Sequence, residues 1–80
     1  MTDWRQYIVV NPDVLAGKPV IKGTRLAVDF ILGLFASGWT EEMVLGNYPA
    51  LTSEAIRAVF GFAAEALGDE SVYPTRRKTG

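Results

Sequence analysis

Residues 39–67, WTEEMVLGNYPALTSEAIRAVFGFAAEAL, decide how this chain is read. Thr40 is a good N-cap, because its hydroxyl can accept from an orphan backbone N–H, and Glu41 and Glu42 follow at the positive end of the helix dipole. Trp39 and Val44 occupy the N′ and N4 positions of a hydrophobic staple. Thr52, Ser53 and Glu54 repeat the signal, with Leu51 placed to clamp Ile56. Between the two starts, Pro49 drives Tyr48 out of the α region, so the first helix must stop. The second repeats apolar residues at Ile56, Val59, Phe60, Ala63 and Leu67, and Gly68 is a natural C′ stop. Helices at about 41–47 and 53–67, joined by a tight turn, outline a helix-turn-helix.

Working outward, Val28, Ile31, Leu32 and Phe35 follow the i, i+3, i+4, i+7 pattern, with Phe30 and Leu34 widening the stripe. They predict a buried first helix at about 28–37. Upstream, Tyr7, Ile8, Val9 and Val10 read as a short strand closed by the turn residues Asn11, Pro12 and Asp13. Residues 15–28, LAGKPVIKGTRLAV, read as short extended pieces joined by glycine turns, in which Gly17 and Gly23 supply backbone conformations. The expected fold class is therefore mainly α, a three-helix helix-turn-helix domain in residues 1–70 with a short N-terminal β arm at about 7–27. Residues 71–80 are expected to be a basic, flexible tail.

The composition sets limits on function. A chain of 80 residues buries about 60% of its unfolded surface, yet 49% of this one is hydrophobic, which implies apolar surface covered by a second copy or another partner. The edge of the Tyr7–Val10 strand is the candidate dimer contact, since an unpaired edge invites a strand from a second copy. The chain contains no Cys and no His, which removes thiolate chemistry and the commonest metal ligand and general base. No enzyme, cofactor or metal is expected. No apolar run approaches the roughly 18 residues of a membrane span, and the N-terminus lacks an apolar leader core, so the chain reads as cytoplasmic with no membrane role.

Several motifs in fixed order resemble those of the bacterial domain-of-unknown-function family 433. They are Gly17-Lys18-Pro19, Gly23-Thr24-Arg25, Gly38-Trp39-Thr40-Glu41-Glu42 and Tyr48-Pro49-Ala50-Leu51-Thr52. The resemblance covers Ile8 to about Leu67. It implies a homeodomain-like three-helix fold, and a role as the antitoxin that binds and occludes a PIN-like nuclease toxin in a VapBC-like pair, with operon autoregulation an added expectation. No functional residue comes with it.

Charge bears on the alternative, a stand-alone DNA-binding transcriptional regulator. Arg5, Lys18, Lys22 and Arg25 face only Asp3 and Asp13 in the first 25 residues, whereas residues 26–70 hold Arg57 alone against Asp29, Glu41, Glu42, Glu54, Glu65, Asp69 and Glu70. Phosphate contacts need Lys or Arg, and the outer face of the last helix offers Glu54, Arg57, Gly61 and Glu65. That is a poor recognition helix. Candidate nucleic-acid contacts are therefore Lys18, Lys22 and Arg25 on the arm, with Arg57, and DNA binding by the monomer is not favoured. The competing reading makes the arm cations solvated turn residues, with Arg25 paired to Asp29. Trp39, Tyr48, Phe60 and Phe62 read as core or subunit contacts more readily than as a base-stacking platform. Tyr73, Arg76, Arg77 and Lys78 in the tail are candidate toxin contacts, because guanidinium groups pair bidentately with the carboxylates of a metal-dependent nuclease.

Overall fold

Ile8 and Ile21 lie opposite each other on two short antiparallel strands, and both side chains are buried. In this computed structural model, which describes residues 3–68, β1 (Ile8–Val10) pairs with β2 (Pro19–Ile21) in the register Ile8 to Ile21, Val9 to Val20 and Val10 to Pro19. The N-terminal strand is thus not alone: its partner lies in the same chain, nine residues beyond its end. An isolated two-stranded ribbon is marginal in water, so the hairpin depends on the helices beneath it. Those are α1 (Val28–Ala36), α2 (Glu41–Asn47) and α3 (Ser53–Gly68). The protein is mainly helical, three helices carrying a small two-stranded hairpin.

Local chemistry explains each boundary. Thr40 Oγ1 accepts from Met43 N–H at 3.1 Å and Thr52 Oγ1 accepts from Ala55 N–H at 3.1 Å, so both predicted caps form. Ser53 Oγ donates to Glu41 Oε2 at 2.7 Å and ties the two helix starts together. Tyr48, at φ −129° and ψ 77°, leaves the helical region ahead of Pro49 and ends α2 at Asn47. Helix α1 ends one residue before the expected boundary, at Ala36, where Gly38 takes φ 97° and turns the chain toward Trp39. In the arm, Asn11 Oδ1 accepts from Asp13 N–H at 2.9 Å, the local turn its side chain favours. Gly23, at φ 80°, closes a turn in which Thr24 donates its hydroxyl to Ile21 O and accepts from Leu26 N–H. The Gly-Thr pair is a hairpin-to-helix connector.

The core gathers Ile8, Ile21, Val28, Ile31, Val44, Leu51, Ile56 and Val59, with Ala55 and Ala58 filling the closest approach to α3. The buried stripe of α3 differs from the expected one. Ala55, Ile56, Ala58 and Val59 are buried and Phe62 is packed against them, while Phe60 and Leu67 stand 44% and 59% exposed. Periodicity alone weighted the large side chains, whereas close packing against α1 and the hairpin requires small ones. Helix α1 is likewise only partly covered: Val28 and Ile31 are buried, but Phe30 is 43% exposed.

Replacing the fully enclosed Ile31 by Ala is expected to cost about 3 kcal/mol of unfolding free energy, through lost transfer energy and the cavity left behind. Phe30→Ala should cost less than about 1 kcal/mol, since a half-exposed ring leaves no closed cavity. Urea unfolding of the two variants checks the contrast.

Candidate functional site

Two surfaces concentrate polar groups with specific geometry. The first is the outer face of α3, where the sequence left Gly61 and Glu65 in solvent. In the structure the N-terminal turn reaches both: Gly61 is partly covered, and Glu65, still exposed, is hydrogen-bonded from the turn. A 3₁₀ turn at Trp4–Gln6, started by Asp3 Oδ1 accepting from Arg5 N–H, lies across the second half of the helix. Trp4 Nε1 donates to Glu65 Oε1 at 2.8 Å, Arg5 donates to Glu65 Oε2 at 2.9 Å, and the guanidinium stacks over the indole at 4.5 Å. The ring also meets Phe62 edge-on at a centroid distance of 4.9 Å, and it passes over Gly61. Each carboxylate oxygen thereby has a donor of its own. The Trp4 indole N–H, and after it the Arg5 guanidinium, hold the Glu65 carboxyl below its ordinary value of 4.5. Of the candidate nucleic-acid contacts, Arg57 stays on this helix, exposed and 3.7 Å from Glu54 one turn earlier.

The second surface is the arm. Lys18, Lys22 and Arg25 are all exposed, and the sequence-based pairing of Arg25 with Asp29 does not form. Lys18 takes that place, with Nζ 3.1 Å from Asp29 Oδ2, leaving Arg25 without an ion pair among the described residues. These side chains border an open cleft of about 600 Å³ between the hairpin loop and the start of α1. Leu15, Ala16, Leu26 and Phe30 provide its apolar walls, and Lys18, Arg25 and Asp29 its charge. The loop wall is strained. Leu15 and Ala16 stand at φ 49° and 57°, ahead of Gly17 at φ 85°, so three successive residues are left-handed and two of them carry a Cβ. Each such residue costs on the order of 1–2 kcal/mol, which the hydrogen bonds Gly17 N–H to Val14 O and Lys18 N–H to Leu15 O help to hold.

The candidate dimer contacts are divided by the pairing of β1 with β2. Ile8 is in the core and Tyr7 is half-buried, while Val9 and Val10 remain exposed. Lys22 N–H donates to Tyr7 O, so by strand alternation the peptide groups of Ile8 and Val10 point away from β2. The aromatics that could have formed a stacking platform are engaged with one another: Trp39 with Tyr48, Tyr48 with Phe30, and Phe60 with Phe35. Tyr73, Arg76, Arg77 and Lys78 lie outside the described residues. Among the described residues no group of acidic side chains could hold a metal ion, and no helix is long and apolar enough to cross a membrane. The Trp4–Arg5–Glu65 cluster had no signal at sequence level, because its members are some sixty residues apart and no helical or strand period links them.

Comparison with known proteins places this geometry. Residues 8–63 match the model of a family described as a protein of unknown function, DUF433. An uncharacterized protein, y4eO, of Sinorhizobium fredii (strain NBRC 101917 / NGR234) is 38% identical over 53 residues; the match takes in 66% of this chain and 24% of that protein, so the chain spans about a quarter of this relative's length. A crystal structure of a DUF433 member protein from Anabaena variabilis ATCC 29413 superposes with a TM-score of 0.73 at 26% identity. That superposition covers 80% of this chain and 63% of the other.

Two measurements probe these surfaces. Because the Glu65 carboxyl is held low in the folded state, its contribution to stability is complete above the unfolded value and is lost as pH falls through the folded one. Glu65→Gln should therefore destabilise the protein at pH 7, and the gap to wild type should close on acidification below about pH 4.5, as thermal melts across the range would record. Ala16→Gly relieves left-handed strain and should raise the urea midpoint by the equivalent of about 1 kcal/mol with an unchanged slope.

Proposed function

The chain belongs to the DUF433 family, and from that premise we propose that it is a protein-interaction module, an antitoxin that binds and occludes a PIN-like nuclease toxin. The observation that carries this reading is the 2.8 Å hydrogen bond from Trp4 to Glu65. In a homeodomain-like arrangement the last helix would turn its outer face to the major groove, with base contacts from its exposed side chains. Here the N-terminal turn lies on that face, and the part left open presents Glu54 and Arg57 as a mutual pair. A helix so charged, with Glu65 already engaged by the N-terminal turn, is suited to protein contacts better than to phosphates. Exposed Val10, Phe30, Met43 and Phe60 add the apolar area that a protein interface uses. Fold alone does not decide the matter, so the partner is argued from chemistry: a metal-dependent nuclease clusters carboxylates, and the tail cations Arg76, Arg77 and Lys78 are suited to enter such a cluster once its metal is displaced.

The experiment is a nuclease assay with the product of the adjoining reading frame. Stoichiometric amounts of the full chain should suppress cleavage, and a chain truncated after Asp69 should still copurify with the nuclease but inhibit it less completely. Full activity in the presence of excess chain would end the antitoxin reading.

The second reading, a small DNA-binding regulator, draws on Lys18, Lys22 and Arg25 sharing the exposed arm. Reversing all three to Glu should then weaken binding to every sequence alike and flatten the salt dependence by about 2–3 units of log–log slope. Loss of binding through Arg57→Ala alone, with the triple reversal silent, would instead return the contact to α3.

A further inference from the structure

We infer that the cleft between the hairpin loop and α1 is the docking site for a short peptide segment of a partner protein, one that alternates apolar and acidic side chains. The inference deepens the proposal that the chain is an interaction module and rests on it only for the existence of a partner. Three observations converge on this one place. Leu15 and Phe30 are large apolar side chains left 38% and 43% exposed, and they face a common cleft whose volume, about 600 Å³, matches that of sites holding drug-sized ligands or a few residues of peptide. Arg25 borders the same cleft with no ion pair among the described residues, while the neighbouring Lys18 is already neutralised by Asp29 at 3.1 Å. The wall that presents Leu15 is held in a left-handed conformation that its residue types resist, and strain of this kind accumulates where a surface must be kept in one shape.

The same features choose between occupants. Nucleic acid needs several cations in register with its phosphates, yet among the described residues this cleft supplies one guanidinium without an ion pair, sets the Asp29 carboxylate on the same lining, and offers apolar walls that phosphates cannot use. A peptide uses all of it. Its apolar side chains fill the space between Leu15, Leu26 and Phe30, and its carboxylate takes the planar fork of Arg25 in a bidentate pair.

The test needs no knowledge of the natural partner. The full chain, labelled with ¹⁵N, is titrated with a synthetic six-residue peptide alternating Glu with Leu or Phe. Amide shifts should concentrate at Leu15, Ala16, Arg25 and Phe30, and Arg25→Glu should weaken binding about tenfold. Phe30→Ser should weaken it similarly through the apolar side, and Arg57→Glu on α3 should leave it unchanged. Both cleft residues are solvent-exposed, and the spectrum of each variant reports its folding directly. Three results would each overturn the assignment: an equal response to the peptide with Lys in place of Glu, a stronger one to a short DNA duplex, or the same shifts on concentrating the protein alone, which would give the cleft to a second copy. Since no nuclease enters the titration, failure of the antitoxin reading and failure of this one are separately visible.

Discussion

In a chain this short one helix has to serve as the common partner of nearly everything else, and that constraint organises the protein. Helix α3 is the only described element longer than three turns, and α1, α2, the hairpin and the N-terminal turn all pack on it. Its interior face alternates small residues, Ala55 and Ala58, with Ile56 and Val59, all four buried against the rest of the core. The hairpin follows from this. Two strands of three residues have no stability of their own, but Ile8 and Ile21 project from opposite positions of the ladder into the same core as Ile31 and Val59.

The constraint also consumes surface that a helix-turn-helix domain would otherwise use. The N-terminal turn packs beside the core along α3, where Trp4 meets Phe62 and, with Arg5, shares the two oxygens of Glu65. These are exposed, charge-assisted bonds, so their value lies in fixing where the turn sits more than in global stability. The outcome is a helix whose Gly61 and Glu65 engage the N-terminal turn while Phe60, Ala64, Ala66 and Leu67 stay exposed. The cations of the arm, Lys18, Lys22 and Arg25, are all exposed, with Lys18 paired to Asp29 of α1.

Among the described residues, left-handed non-glycine conformations are confined to the arm as well. Leu15 and Ala16 hold left-handed conformations with only loop hydrogen bonds to secure them, and they do so beside an apolar cleft that the compact core leaves open. Helices α2 and α3, by contrast, follow local rules: Thr caps, acidic first turns, and Gly38 or Pro49 where the chain must turn.

The sequence by itself determined the helices, their caps and the turn between α2 and α3, because those signals act over at most four residues and any chain carrying them forms the same local hydrogen bonds. It also determined that chemistry based on thiolate or imidazole is absent, since no Cys or His is present. The tertiary structure decided what depends on distance in space. It paired β1 with β2, where the sequence offered only a strand and a row of glycine turns, because pairing requires a helical floor that no local pattern reveals. It kept Ile56 and Val59 in the buried stripe of α3 but replaced Phe60 and Leu67 there with Ala55 and Ala58, gave Asp29 to Lys18 instead of Arg25, and laid Trp4 against a glutamate sixty-one residues away. Charge composition could indicate that α3 is a poor reader of DNA. Only the fold could show that Gly61 and Glu65 on its outer face meet the N-terminal turn, because that contact joins the two ends of the described chain and no periodicity spans them.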